Sequence, residues 1–207
     1  MRATLYYVHD PMCSWCWGFR PTWQAIRDAL PADIQVLPLL GGLAADTDQP
    51  MPEAMRTYLQ QTWRTIHARL GTPFNFDFWS QCQPRRATYP ACRAVIAAAQ
   101  QDAGEAMVES IQRAYYLHAM NPSEPAVLRE LAAELGLDAG RFATDISAPA
   151  TAAELQRQIA LARRLGIDSY PSLVYVAPQA APQRIQHDYL DPHGTIELLL
   201  ARHHASM

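Results

Sequence analysis

The sequence predicts an α/β protein in which a long helical block interrupts a small sheet. Three observations predict it: a strand, helix and strand at the start; helical patterning from about residue 51 to 166; and strand character that returns before a last helix. Thr4 to Val8 reads Thr-Leu-Tyr-Tyr-Val, a β-branched and aromatic run suited to a buried strand, and it stops at His9-Asp10-Pro11. From about Trp17 to Leu30, Phe19, Trp23, Ile26 and Leu30 recur with helical spacing. Ile34 to Leu40 makes a second apolar strand closed by Gly41-Gly42, so a right-handed parallel crossover is expected.

In the helical block, Met55, Leu59, Trp63, Ile66 and Leu70 mark one amphipathic helix. Pro90 to Gln101 is Ala-rich enough for another, and Met107, Ile111 and Tyr115 suggest a third. Pro125 to Leu135 has Gly136 as its stop, and Ala152 to Leu165 ends at Gly166 in the same way. Ser172 to Val176 and Arg184 to Tyr189 read as strands joined by a Pro-containing hairpin loop, and Pro192 to His203 as the final helix. The expectation is a single domain, 1–207, with a helical lobe inserted at about 50–150.

Composition narrows the function. With 49% hydrophobic and 18% charged residues, the 207-residue chain has a globular balance and enough length to bury a core. A net charge of −3 gives no broad cationic surface, so neither nucleic acid nor an acidic membrane is expected as a partner. All 17 cationic side chains are Arg, which removes lysine Schiff-base and general-base chemistry. Residues 1 to 9 show neither a cationic leader nor an apolar signal core, so a cytoplasmic location is expected. Four cysteines are too few for a disulfide scaffold, and a close pair in a reducing compartment is reactive or metal-binding before it is structural.

That close pair is Cys13-Ser14-Trp15-Cys16, placed where a strand hands over to a helix. A thiol there lies near unpaired backbone N–H groups and the positive end of the helix dipole, which stabilise the thiolate that attacks disulfides. Cys13 is the better placed to attack, and the two intervening residues let Cys16 return to it and resolve a mixed disulfide. Zinc also suits such a pair, but neither Cys82 and Cys92 nor the scattered histidines offers a second pair at ligand spacing, so no metal is expected.

His9-Asp10-Pro11-Met12-Cys13-Ser14-Trp15-Cys16-Trp17-Gly18-Phe19 resembles the active-site region of the DsbA-like branch of the thioredoxin superfamily. Gly166-Ile167-Asp168-Ser169-Tyr170-Pro171-Ser172-Leu173-Val174 is similar to that family's cis-proline segment, and the helical block to its inserted domain. The resemblance implies a thioredoxin-like fold, a cis bond before Pro171, and a substrate surface at Ser14, Trp15, Trp17, Tyr170 and Pro171 beside the catalytic Cys13 and Cys16. Ser14-Trp15 stands where strongly oxidising periplasmic members carry Pro-His, so a strong oxidant is not implied.

Several readings stay beside these. Trp15 and Trp17 either offer an apolar contact to substrate or belong to the core. His9 and Asp10 either move protons or shape a turn. Cys82 and Cys92 form a second redox pair or are small packed thiols; His118 is a helix-face residue before it is a ligand; and Gly41-Gly42 is a turn. The expected function is thiol–disulfide exchange on a protein or low-molecular-weight substrate, with no bound cofactor and with glutathione or another thiol as redox partner. The alternatives are a kappa-like glutathione transferase or isomerase, against which the retained Cys16 argues, and a redox-responsive peptide-binding module.

Overall fold

A four-stranded sheet in the order β2-β1-β3-β4 forms the centre of the protein, a computed structural model describing residues 2–205. Met1, Ser206 and Met207 of the expected 1–207 domain lie outside the described residues. The opening unit is β1 (Ala3–His9), α1 (Ser14–Ala29) and β2 (Ile34–Leu40), with β1 and β2 parallel from Ala3 opposite Ile34 to His9 opposite Leu40. Later in the chain β3 (Ser172–Val176) pairs antiparallel with β1, and β4 (Gln183–Ile185) antiparallel with β3. Pro38, opposite Tyr7 in edge strand β2, has no N–H to offer a further strand.

Alternation along β1 divides the sheet's faces. Leu5 and Tyr7 point to one face and pack with Phe19 and Ile26 of α1 and Leu199 of α9 (Pro192–His204). Val8, with Val174 of β3, packs on the other face against Ala162 of α8 (Pro149–Arg164). The result is three layers, helix on sheet on helix.

Between β2 and α8 runs the helical lobe: α2 (Glu53–Leu70), α3 (Phe78–Gln81), α4 (Tyr89–Ala99), α5 (Gly104–Leu117), α6 (Pro125–Glu134) and α7 (Ala139–Ser147). Its core centres on Trp63, 1% exposed, whose ring lies 5.0 Å from Phe74, 4.9 Å from Trp79 and 5.3 Å from Tyr116. Met12 and Trp17 from the sheet side enter this same cluster, so the lobe and the start of α1 share one core.

The structure corrects three boundaries and adds two short helices. Helix α1 begins at Ser14, upstream of the apolar stripe, and runs through Pro21, which offers no N–H to the preceding turn. Helix α8 begins at Pro149, because proline suits a first helical position. Strand β4 ends at Ile185 rather than Tyr189, since Tyr189 leaves the sheet to pack edge-on against Phe19, 5.3 Å between centroids. The short helices α3 and α7 bury only Phe78, Trp79 and Phe142 between them, too little for a periodic pattern; α7 is announced by Asp138, which accepts from Arg141 N–H at 2.8 Å.

Away from the cysteines, buried Tyr175 of β3 has its hydroxyl 3.0 Å from His203 Nδ1, and His203 Nε2 is 2.9 Å from Asp33 Oδ2. This relay fastens α9 to the sheet and to the turn before β2. His203→Phe strands the Tyr175 hydroxyl, so urea unfolding is expected to show a loss of about 1–3 kcal/mol, with the alkylation rate of Cys13 unchanged.

Candidate active site

Three loops converge at the end of the sheet where β1 meets α1. Cys13 is the N-cap of α1, with extended backbone at φ −84 and ψ 117, and no side chain caps the helix. Its N–H donates to Asp10 O at 3.0 Å, which closes the turn from β1, and its carbonyl accepts Trp17 N–H at 3.0 Å, which starts the helix. The second loop begins at Gly41, whose N–H donates to His9 O at 2.7 Å. The third carries the Tyr170–Pro171 peptide, which is cis.

Gly41 is where the second and third loops touch. The Tyr170 hydroxyl donates to Gly41 O at 2.8 Å, and a Cβ on Gly41 would fall 2.1 Å from the Tyr170 ring. Only glycine allows that approach. It leaves the Tyr170 carbonyl 3.6 Å from Cys13 Sγ, within reach of a thiol donor.

All four cysteines are free thiols. Both residues are buried, Cys13 at 7% exposure and Cys16 at 0%, so of the two only the first has any surface. Hydrogen bonding to an ionised Cys13 sulfur by the Cys16 thiol, helped by the N–H groups of Cys16 and Trp15, brings the Cys13 pKa below that of an ordinary thiol despite burial. Burial, and the proton Cys16 holds in that bond, push the Cys16 thiol well up. Protonated Cys13 donates to Tyr170 O; ionised Cys13 instead accepts from Cys16.

The rest of the expected surface divides. Trp15 is half-buried, edge-on to Tyr189 at 5.3 Å, with the Arg69 guanidinium 5.7 Å from its ring centroid. Trp17 points the other way: it is 8% exposed, its indole N–H donates to Pro73 O at 3.0 Å, and its ring stacks on Tyr116 at 5.7 Å. Of the two readings of Trp17, its burial favours packing in the core, since a helix turns successive side chains to different faces. Ser14 and Pro171 are buried beside the thiols, whereas Tyr170 is half-buried.

His9 and Asp10 are both buried, at 4% and 0% exposure. The His9 imidazole stacks on Tyr7 at 4.8 Å, and burial lowers its pKa to about 4. Asp10 Oδ1 accepts Met12 N–H at 2.8 Å; Oδ2 accepts Leu43 N–H at 2.7 Å, the Thr88 hydroxyl at 2.7 Å and the Cys92 thiol at 3.6 Å. Cys82 instead donates to Ala119 O at 2.9 Å, so the two cysteines expected either to pair or to pack serve separate bonds. His118 caps the end of α5. The sequence reading left out Thr88, Arg69 and Tyr189, each distant along the chain and carrying no local motif.

A family model described as the DSBA-like thioredoxin domain matches residues 4–179. The chain belongs to this family. Among solved structures it is similar to a Nitrosomonas europaea protein provisionally described as a protein disulfide isomerase, at 26% identity and TM-score 0.84, covering 98% of this chain and 100% of that one. It is also similar to the cytosolic disulfide reductase DsbM from Pseudomonas aeruginosa, at 28% identity and TM-score 0.78, covering 98% and 99%. The same protein solved with GSH gives 27% identity and TM-score 0.76, covering 96% and 98%. Among curated proteins, the ClpXP adapter protein SpxH of Halalkalibacterium halodurans is 23% identical over 83% of this chain; the chain spans 58% of that relative's length. Among the described residues no helix is long and apolar enough to cross a membrane.

His9 gives a pH dependence. Its folded pKa lies below the unfolded value, so the unfolded chain takes up a proton first as pH falls and stability drops. Between pH 6.5 and about 4 the expected loss is about 3 kcal/mol. Urea unfolding of His9→Phe across that range should show a flatter profile than the parent protein.

Proposed function

We propose that the chain is a thiol–disulfide oxidoreductase that works in the reducing direction, with Cys13 attacking and Cys16 resolving. The observation that carries this reading is the unequal dithiol at the start of α1: one cysteine slightly exposed and disposed to ionise, its neighbour fully enclosed and holding its proton. The Cys13 thiolate attacks a substrate disulfide, forms a mixed disulfide and releases one substrate thiolate, which takes up a proton. Cys16 then gives up its proton and attacks Cys13 Sγ; the second substrate thiolate leaves, and Cys13–Cys16 becomes the disulfide. Two electrons have passed to the substrate. Two molecules of glutathione or another thiol return them and leave as a disulfide.

The Tyr170 carbonyl supports pairing with an extended substrate, because its one partner among the described residues is the Cys13 thiol and it lies outside the ladder, which begins at Ser172. Trp15, Tyr189 and Arg69 make a rim with apolar faces and one cation, suited to a substrate with a carboxylate near its sulfur. Likeness to DsbM, called a cytosolic reductase and solved with GSH, supports the reducing direction, a glutathione partner and a cytoplasmic setting. No resident cofactor takes part, and the proposed partners are small or protein disulfides.

A second reading follows from the curated relatives, which are named as adapters of ClpXP. In it the chain binds a protein, and the dithiol adjusts that binding.

Cys13→Ser is expected to lower glutathione-disulfide and insulin reduction by more than a hundredfold, while Cys16→Ala accumulates a mixed disulfide at Cys13 detectable by mass spectrometry. Unchanged turnover in Cys13→Ser would remove the exchange reading. Binding of a protein client by the Cys13→Ser, Cys16→Ser double variant, in a chain without reductase activity, would favour the adapter reading.

A further inference from the structure

Asp10 lies in the interior among groups that all give it protons to share. It is 0% exposed, and its four partners are two backbone N–H groups, the Thr88 hydroxyl and the Cys92 thiol. A neutral carboxyl would have to turn its own proton toward one of these donors, whereas a carboxylate satisfies all four. Burial leaves the Asp10 pKa raised, and the hydrogen bonds from Leu43, Thr88, Met12 and Cys92 offset part of that rise.

Two of those donors come from the helical lobe. Thr88 is the N-cap of α4 and Cys92 lies in its first turns, so the positive end of that helix faces the carboxylate. Thr88 is itself fixed, since its oxygen accepts Ala44 N–H at 3.1 Å while it donates to Asp10 at 2.7 Å. On the other side, Asp10 O accepts Cys13 N–H at 3.0 Å, and the Asp10 side chain holds the N–H of Met12, the residue before the nucleophile.

We propose that Asp10, kept ionised by Thr88 and Cys92 of α4, is a positioning residue that holds the Cys13–Cys16 couple reducing, so that the helical lobe sets the reduction potential. This rests on the exchange reading above and adds to it a cause for the direction of electron flow. A fixed negative charge in a medium of low dielectric constant opposes a second one nearby, and the Asp10 charge acts against ionisation of both Cys13 and Cys16. The disulfide is neutral and does not feel this opposition. Reduction adds two electrons and two protons to the disulfide; by cutting back part of the stability that the Cys13 thiolate would otherwise lend the product, Asp10 favours the disulfide and makes the dithiol the stronger reductant.

The test uses the full chain equilibrated in glutathione redox buffers, with the thiol and disulfide forms counted by alkylation and the Cys13 pKa read from thiolate absorbance. Asp10→Asn is expected to lower the Cys13 pKa and to shift the equilibrium about tenfold toward the reduced protein, a rise of about 30 mV. Thr88→Val and Cys92→Ala each remove one donor, weaken the hold on the charge and should move both readouts the same way by a smaller factor. Cys92→Ser keeps a donor and should match the parent. An Asp10→Asn protein with both readouts within twofold of the parent, or shifted in the opposite sense, overturns the inference. If Asp10→Asn does not fold, the same null or opposite result in Thr88→Val overturns it. A parent protein that never forms the Cys13–Cys16 disulfide in these buffers overturns the exchange reading and this inference together.

Discussion

The Cys16 thiol can favour an ionised Cys13 sulfur because α1 starts one residue after Cys13. Had the helix begun where its apolar stripe begins, near Trp17, the two cysteines would have sat in a loop with no fixed spacing. An extended residue at 13 followed at once by helical backbone brings the second sulfur back toward the first and leaves helix amides facing the first alone. The inequality of the two thiols thus comes from burial, which acts first on Cys16, and from the backbone geometry that favours an ionised Cys13. Everything that approaches the pair, from the Gly41 turn to the Tyr170 carbonyl, is arranged around that junction.

The helical lobe is tied to this junction by side chains that no periodicity would single out. Its aromatic core receives Trp17, and α4 presents Thr88 and Cys92 to Asp10. The segment inserted between the sheet's second strand and its returning helix therefore does more than cover a surface: it contributes part of the environment of the thiols. Met12 joins the same core, so the residue just before the nucleophile is anchored by packing as well as by its N–H.

What could be read in the sequence was what is local and repetitive. Strand β2 and strand β3 have the expected limits because each is a continuous apolar run bounded by turn residues. The cysteine pair and the Tyr170–Pro171 segment were visible as motifs. Trp17 was not separable from Trp15 by sequence, since both flank Cys16 and only the turn of the helix sends one to the core and the other to the rim. Strand β4 was overextended because Tyr189 has strand character but gains more by lying against Phe19. The contacts of Asp10 with Thr88 and Cys92 join residues 78 and 82 positions apart, where nothing in the chain's pattern points from one to the other.

The two margins of the sheet differ in kind but share an outcome. Along one, Pro38 lacks the donor that a neighbouring ribbon would need; along the other, β4 is only three residues long. Neither offers a template on which copies could stack edge to edge. The sheet therefore ends on both sides without the long unbroken row of amides and carbonyls that a further ribbon would need, and the short Tyr170 segment next to the thiols is main chain left outside the ladder.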